Sequence, residues 1–361
     1  MRLGIIGLPQ SGKTTIFNAL TRGDRPTAMT GGRVEVHTAV VDVPDTRLDR
    51  LVEIYHPKKI SPAKVIYADI AGLNGSANGN SNGNKGEISG ELINHLATMD
   101  GFLHVVRCFP DESVAHIMGS VDPQRDIANM DTELLLSDLI VVERKLERLG
   151  EERKKGGRDK AAIEREQELF TRLQAHLSEE KPLREMELTP EELKSLSSYS
   201  FLTLRPMLVV LNLAEGQDAP DVSGVTSYDE VVALQGQLEM EIAQLLPDEA
   251  KEFLQEYGIT EPSLNRMIQV SYDLLGLQSF FTVGEDDCHA WTVERGSTAR
   301  RSAGTIHSDL EKGFIRAEVV SYEDLSSLGS LAKAREAGKL RVEGKEYIVK
   351  DGEIMHVLFN V

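Results

Sequence analysis

Short runs of apolar residues recur along the chain, and each is followed by polar or glycine-rich residues. The runs at 3–6, 65–68, 102–106 and 207–211 are almost entirely apolar, which predicts strands buried on both faces of a sheet. A further run at 231–234 predicts another strand. Segments with helical periodicity lie between these runs. This alternation is typical of a mostly parallel α/β sheet.

A different pattern interrupts this alternation in the middle of the chain. Five apolar residues there are separated by four and three positions, which is the spacing of a coiled-coil seam. They are Leu135, Leu139, Val142, Leu146 and Leu149. A second helical stretch follows after Gly156-Gly157. We therefore expect a discontinuous α/β domain over residues 1–133 and 200–277, with a helical hairpin inserted at 134–199.

The remaining segment, residues 278–361, is expected to be a separate C-terminal domain. It alternates short apolar runs, such as 290–293 and 347–349, with a helical stretch near 302–310. The two short runs predict strands. A chain of 361 residues is long enough for more than one domain, each with its own core.

Charge and cysteine content narrow the class of protein. The net charge of −18 opposes general binding to nucleic acids or anionic membranes. Residues 144–160 at the predicted hairpin tip nevertheless contain eight Lys or Arg and four Asp or Glu, so the tip is either a solvated helix face or a contact for RNA or another acidic partner. Cys108 and Cys288 are far apart, the chain opens on a strand, and no apolar run approaches the ~20 residues that span a bilayer. We expect a reduced, cytoplasmic protein without a membrane partner.

The strongest chemical signal follows the first apolar run. Residues 7–14 read G-L-P-Q-S-G-K-T, a complete phosphate loop between a strand and a helix. Backbone N–H groups of such a loop surround phosphate oxygens at the start of the helix. The residues expected to bind the nucleotide phosphates are Pro9, Gln10, Ser11, Gly12, Lys13, Thr14 and Thr15. We expect Lys13 to contact the β and γ phosphates as a catalytic cation and Thr14 to bind Mg²⁺ through its hydroxyl.

Two further motifs complete the predicted site. Asp69-Ile70-Ala71-Gly72 ends the second buried strand, and in this arrangement the Asp69 carboxylate is expected to hold Mg²⁺ together with Thr14. Asn212, Leu213 and Glu215 form an N-x-x-E motif where guanine-binding proteins of this fold have N-K-x-D. The longer acidic side chain and the loss of the lysine should weaken the preference for guanine. We therefore predict that these three residues contact the base of ATP.

Taken together, these motifs and H-V-V-R-C-F at 104–109 resemble the YchF/Obg-like ATPase family of translation-factor-related P-loop proteins. The resemblance covers nearly the whole chain, including A-W-T at 290–292. It implies a doubly wound P-loop NTPase sheet, an inserted coiled-coil hairpin and a C-terminal TGS domain of ubiquitin-like β-grasp form. It also implies binding and slow hydrolysis of ATP, weaker use of GTP, and association with ribosomes through the hairpin and the TGS domain.

The chain departs from this family at several positions near the γ-phosphate. Gln10 stands where the family usually has an Asn linked to a monovalent cation, and Arg33 falls where a switch threonine is expected. Leu73 occupies the place of the glutamine that orients water in Ras-like GTPases. His116 matches a family histidine in a mobile loop and is a candidate catalytic residue, the alternative being an ordinary surface histidine. Two other functions stay open: a GTP-preferring GTPase, and a nucleotide-bound ribosome or RNA adaptor with incidental hydrolysis. The sequence leaves the oligomeric state open.

Overall fold

The structure is a computed structural model, and it describes residues 1–23, 35–71, 90–224, 231–257 and 259–360. The predictions made for Arg33 and Leu73 fall outside these residues. Contacts divide the chain into two compact units. Unit 1 contains Met1–Ala39 and Ile66–Leu264, and unit 2 contains Val40–Val65 and Asn265–Val361.

Strands and helices alternate through most of the described chain. The strands are β1 (Arg2–Ile6), β2 (Glu35–Asp42), β3 (Lys59–Ser61), β4 (Lys64–Ala71), β5 (Gly101–Arg107), β6 (Met207–Asn212), β7 (Val231–Leu234), β8 (Leu277–Thr282), β9 (Asp287–Glu294), β10 (Phe314–Val320), β11 (Arg341–Glu343) and β12 (Ile354–Phe359). The helices are α1 (Lys13–Thr21), α2 (Thr46–Tyr55), α3 (Gly90–Leu96), α4 (Pro123–Lys155), α5 (Lys160–Ser178), α6 (Pro190–Leu196), α7 (Gly236–Gln244), α8 (Pro247–Glu256), α9 (Ser263–Leu274), α10 (Ala299–Ile306), α11 (Ser308–Lys312), α12 (Tyr322–Leu328) and α13 (Leu331–Glu336). None of these helices is both long and apolar enough to cross a membrane.

The first sheet has the strand order β2-β4-β1-β5-β6-β7. The pairs β4–β1, β1–β5, β5–β6 and β6–β7 are all parallel. Every residue of β5 and β6 is buried, which explains why their sequences show no apolar–polar alternation. The predicted α/β fold with a mostly parallel sheet is confirmed. Because the four central strands run in one direction, their carboxyl ends meet at one edge, where such folds bind ligands.

The predicted hairpin corresponds to α4 and α5, which pack against each other along the predicted seam. Val142 and Leu149 are fully buried, and Leu135 is nearly so. Helix α4 begins at Pro123, where the Asp122 side chain accepts a hydrogen bond from the backbone N–H of Arg125. The helix is therefore longer than the sequence pattern indicates, because its first turns pack against the sheet through residues such as Ile127 and Met130 instead of extending the seam.

A buried carboxylate ties the hairpin to the chain that returns from it. Asp138 on α4 accepts hydrogen bonds from the backbone N–H groups of Leu202 and Thr203 at 2.9 and 2.7 Å, and from the Thr203 hydroxyl at 2.7 Å. Burial raises the pKa of Asp138 to about 6, and these hydrogen bonds oppose the rise only in part. Asp138 thus links the middle of α4 to the backbone of residues 202 and 203.

The second sheet, in unit 2, has the order β11-β10-β12-β8-β9-β3. It is mixed: β12–β8 and β3–β9 are parallel pairs, and the other pairs described are antiparallel. Helix α10 covers a core that includes Phe280, Val319 and Met355. The TGS form predicted for residues 278–361 stays a prediction.

One element prediction needs correction. Residues 347–349 do not form a strand, because Ile348 makes only an isolated bridge to Thr298. The Glu353 carboxylate accepts hydrogen bonds from the Tyr347 hydroxyl and the Lys350 backbone N–H, and the chain turns between Lys350 and Glu353, before β12.

Candidate functional site

The loop between β1 and α1 has the backbone that a phosphate loop requires. Gly12, the residue before α1, has a φ of 95°, a conformation that favours glycine. A Cβ atom at Gly12 would also collide with Nδ2 of Asn212. The backbone N–H of Ile16 donates to the Gly12 carbonyl at 3.0 Å, so the helix begins directly at the loop. Pro9, Gln10 and Thr15 lie on the same loop and first turn, as predicted from the motif spacing.

Lys13 reaches back across this loop. Its Nζ donates to the carbonyl oxygens of Gly7 and Leu8 at 2.9 and 2.8 Å. An ammonium group has three N–H donors, so these two contacts leave one donor for a ligand. Burial lowers the pKa of Lys13 to about 8, although the nearby Asp69 carboxylate raises it. A cation that loses hydration in this way is stabilised by a bound anion.

Thr14 and Asp69 meet beside Lys13, although they are 55 positions apart in the chain. The Thr14 hydroxyl donates to Oδ2 of Asp69 at 3.0 Å, and Asp69 is buried near the end of β4. A hydroxyl and a carboxylate oxygen are the hard ligands that Mg²⁺ prefers. The neighbouring Ser11 hydroxyl is buried without a hydrogen-bond partner among the described residues, as expected for a loop that awaits a polar ligand. These side chains fit a magnesium-bound phosphate.

Asn212 joins the end of β6 to the phosphate loop. Its Nδ2 donates to the Ser11 carbonyl at 3.0 Å, and its Oδ1 accepts from the Gly236 backbone N–H at 3.0 Å. The side chain is 3% exposed. Both ends of the amide are therefore engaged by the protein, and this arrangement favours a positioning role for Asn212.

The other two residues predicted to contact the base, Leu213 and Glu215, lie in different environments. Leu213 is buried in an apolar cluster with Cys108 and Leu211, and its backbone N–H donates to the Leu234 carbonyl at 2.9 Å. Glu215 is exposed in the turn that follows. The motif thus places Asn212 against the phosphate loop, Leu213 in the core and Glu215 at the surface.

His116 lies against the first turns of α4. Its Nε2 is 2.9 Å from Oδ2 of Asp126, and its Nδ1 accepts from the Met118 backbone N–H at 3.1 Å. The imidazole is 4% exposed, and no described contact joins it to the phosphate loop. The structure therefore brings Lys13, Thr14 and Asp69 together but holds His116 at a separate carboxylate.

Sequence reasoning missed Arg107, which shapes the segment that leads to His116. The buried guanidinium donates to the carbonyl oxygens of Phe109, Asp111 and Val114 at 3.2, 3.3 and 2.9 Å. A basic residue at the end of a fully buried strand was the available signal. These three hydrogen bonds from Arg107 hold the loop that follows β5 in place.

Two other ionisable groups of β5 and its end are held neutral. Burial and the nearby Lys13 charge lower the pKa of His104 to about 3. Burial, with a contribution from Asp126, raises the pKa of the Cys108 thiol to about 12. A thiol with this pKa is not a nucleophile at neutral pH, in keeping with a packing role for Cys108.

Comparison with known proteins gives matches along the whole chain. A family model described as 50S ribosome-binding GTPase matches residues 2–145, and the model YchF-GTPase_C, described as a protein of unknown function, matches residues 277–360. The protein named Ribosome-binding ATPase YchF from Bacillus subtilis is 40% identical over 99% of this chain and 99% of its own length. The protein of the same name from Haemophilus influenzae is 42% identical over 100% of this chain and 99% of its own length.

A solved structure agrees with these relatives. The structure of the Schizosaccharomyces pombe YchF GTPase has a TM-score of 0.83 and 30% identity, and the match covers 99% of this chain and 97% of that chain. The fold, the phosphate-loop geometry and the full-length relatives lead to one family: this chain belongs to the YchF family of P-loop proteins.

Proposed function

We propose that this chain binds Mg²⁺-ATP more tightly than GTP and hydrolyses it slowly. The observation that carries the proposal is the meeting of Lys13, Thr14 and Asp69 at the start of α1. Lys13 supplies a partly dehydrated positive charge for the β and γ phosphates, and loop N–H groups bind the remaining oxygens. Thr14 and Asp69 hold the metal, which when bound neutralises charge on those phosphates.

The preference for ATP rests on the N-x-x-E motif. Adenine lacks the ring N–H donor that a carboxylate accepts from guanine, so a displaced carboxylate costs GTP more than ATP. In this proposal Leu213 and Glu215 define the base site, and Asn212 holds the phosphate loop beside it. The alternative, a GTP-preferring enzyme, is favoured by the description of the matching family model and of the Schizosaccharomyces pombe structure as GTPases.

Slow hydrolysis follows from the position of the candidate base His116. In this proposal His116 acts on the attacking water only after it leaves Asp126, since its Nδ1 accepts a hydrogen bond and its Nε2 lies 2.9 Å from the Asp126 carboxylate. Most bound ATP would then wait in a complex that lacks a general base. Replacing His116 with Ala tests this point: unchanged single-turnover hydrolysis would remove the residue from the mechanism.

We also propose that the chain associates with ribosomes and is cytoplasmic; the names of the relatives describe those proteins as ribosome-binding. The proposed contacts are the hairpin tip and residues 278–361. The tip carries less free positive charge than its composition indicates, because five of its basic side chains lie beside carboxylates. They are Lys145, Arg153, Lys155, Arg158 and Lys160. Exposed Arg148 and Lys154, which have no described ion pair, are the better candidates for contacts with RNA phosphates.

Sedimentation with ribosomes tests these contacts. Changing Arg148 and Lys154 to Glu should reduce the pelleted fraction, whereas Lys194→Glu, an exposed lysine on α6, should leave it unchanged. Equal pelleting of both variants would contradict a role for the tip. Pelleting that is equally strong with and without nucleotide would favour an adaptor with incidental hydrolysis, and pelleting that depends on nucleotide would favour a switch.

The metal site has a direct test in Thr14→Val, which removes the hydroxyl with little change in shape. Mg²⁺ should strengthen ATP binding by the unaltered protein and have a much smaller effect on this variant. Thr171→Val is the matched control, because the Thr171 hydroxyl on α5 donates only to the Gln167 carbonyl. An undiminished effect of Mg²⁺ on Thr14→Val would contradict the proposed metal ligand.

A further inference from the structure

The segment after β6 forms a tight turn whose closing residue is Gln217. We propose that Gln217 is a positioning residue for base selection: it fixes the turn that presents Glu215 to the base. This inference rests on the proposed base-reading role of Glu215 and adds to it the residue on which that role depends.

Gln217 closes the turn twice. Its backbone N–H donates to the Ala214 carbonyl at 3.2 Å, and its side-chain Oε1 accepts from the Ala214 backbone N–H at 2.9 Å. Gly216 between them has a φ of 68°, which a turn of this kind requires of its third residue. Residues 214–217 therefore form a ring that is closed by one main-chain and one side-chain hydrogen bond.

The same side chain attaches this ring to the sheet. Nε2 of Gln217 donates to the Cys108 carbonyl at 2.8 Å, just beyond the end of β5. The Cys108 backbone N–H in turn donates to the Asn212 carbonyl at 2.9 Å. One amide thus fixes the turn both internally and against the strand that neighbours the N-x-x-E motif.

Glu215 has no comparable anchor of its own. It occupies the second position of the turn, it is exposed, and none of the described contacts holds its carboxylate. The direction of its side chain is consequently set by the backbone of the turn. Loss of the Gln217 contacts should let Glu215 sample many positions, and its discrimination between bases should fall while the phosphate contacts stay intact.

The test is a double-mutant cycle on nucleotide selectivity. Dissociation constants for Mg²⁺-ATP and Mg²⁺-GTP are measured for the unaltered protein, Gln217→Ala, Glu215→Ala and the double variant. Gln217→Glu keeps the acceptor for Ala214 but loses the donor to Cys108, and Gln255→Ala on the exposed side of α8 is the control for a surface glutamine. Thermal unfolding of each variant checks that the fold is retained.

We expect Gln217→Ala to reduce the ratio of the GTP dissociation constant to the ATP dissociation constant about fivefold. A change of this size is expected from the loss of roughly one hydrogen bond that orders the turn. Gln217→Glu should lie between Gln217→Ala and the unaltered protein, and Gln255→Ala should match the unaltered protein. In the Glu215→Ala background the Gln217 change should have no further effect on the ratio, because Gln217 acts through Glu215.

Two results would overturn the inference, and they differ in their consequence for Glu215. An unchanged ratio in Gln217→Ala, whether both nucleotides weaken equally or neither weakens, would remove Gln217 from base selection and leave the base-reading role of Glu215 intact. If Glu215→Ala itself leaves the ratio unchanged, the proposed base-reading role fails, and the inference about Gln217 fails with it.

Discussion

Replacement of Asn212 by Ala separates two roles for this side chain, holding the phosphate loop and reading the base. The amide donates to the Ser11 carbonyl and accepts from the Gly236 backbone N–H, each at 3.0 Å, in a place that is 3% exposed. Removing it leaves a buried N–H and a carbonyl without their partner. Each such loss costs about 1–3 kcal/mol, so the unfolding free energy should fall by roughly 2–6 kcal/mol.

The effect on binding should be independent of the base. Without its anchor at Ser11, the loop must be ordered by the phosphates, which are the same in ATP and GTP. An ordering cost of about 1 kcal/mol weakens both nucleotides about fivefold and leaves their ratio unchanged.

The assay pairs denaturant unfolding with titration of both nucleotides, and Asn265→Ala serves as the control because Asn265 is a partly exposed asparagine on α9. Two results would refute the reasoning. A loss of stability no larger than that of the control would mean that the two contacts contribute nothing. Weakening confined to ATP would mean that Asn212 reads the base, as the N-x-x-E motif by itself predicts.

Two ionisable groups give further predictions. Burial lowers the pKa of Lys13 to about 8, and Lys13 binds phosphate in its ammonium form. The affinity for ATP should therefore be constant below about pH 8. Above that pH it should decrease, and the decrease should approach a factor of ten for each pH unit. Titrations at about pH 7, 8 and 9 check this, and a flat profile would contradict it. For Asp138, burial raises the folded-state pKa to about 6 from the ordinary 3.8, so the native state binds this proton more tightly than the unfolded chain does. The resulting stabilisation is complete below about pH 4 and is lost as the pH rises through about 6. In denaturant unfolding, the free energy of unfolding of the unaltered protein relative to Asp138→Asn should therefore decrease over this range. An increase would contradict the predicted direction of the pH dependence.

The parts of the fold that the sequence predicts are those in which one local pattern has one physical cause. Strands β5 and β6 are buried on both faces and therefore read as uninterrupted apolar runs. The hairpin seam was equally clear, since its leucines recur at the coiled-coil spacing. Residues 347–349 have the same apolar character as a short strand, yet they make only an isolated bridge, because the chain turns at Asp351-Gly352 and the Glu353 carboxylate accepts hydrogen bonds from Tyr347 and Lys350.

The site shows the same division. The motif spacing predicts the phosphate loop and the partnership of Thr14 with Asp69. It does not predict the bridge from Asn212 to Ser11, because 201 positions separate the two residues and the motif points to the base. The attachment of His116 to Asp126 has no sequence signal either, since His116 lies in a segment without periodicity and Asp126 lies in the first turn of α4, before the seam.

The most direct test of the account is a side-by-side titration of the Mg²⁺-loaded protein with ATP and GTP, with the double variant Leu213→Lys and Glu215→Asp as comparison. The account predicts that ATP binds at least about tenfold more tightly, a gap of roughly 1.4 kcal/mol, and that the double variant reverses the preference. Equal affinities, or tighter binding of GTP by the unaltered protein, would contradict the adenine-reading site and make the GTPase the better description.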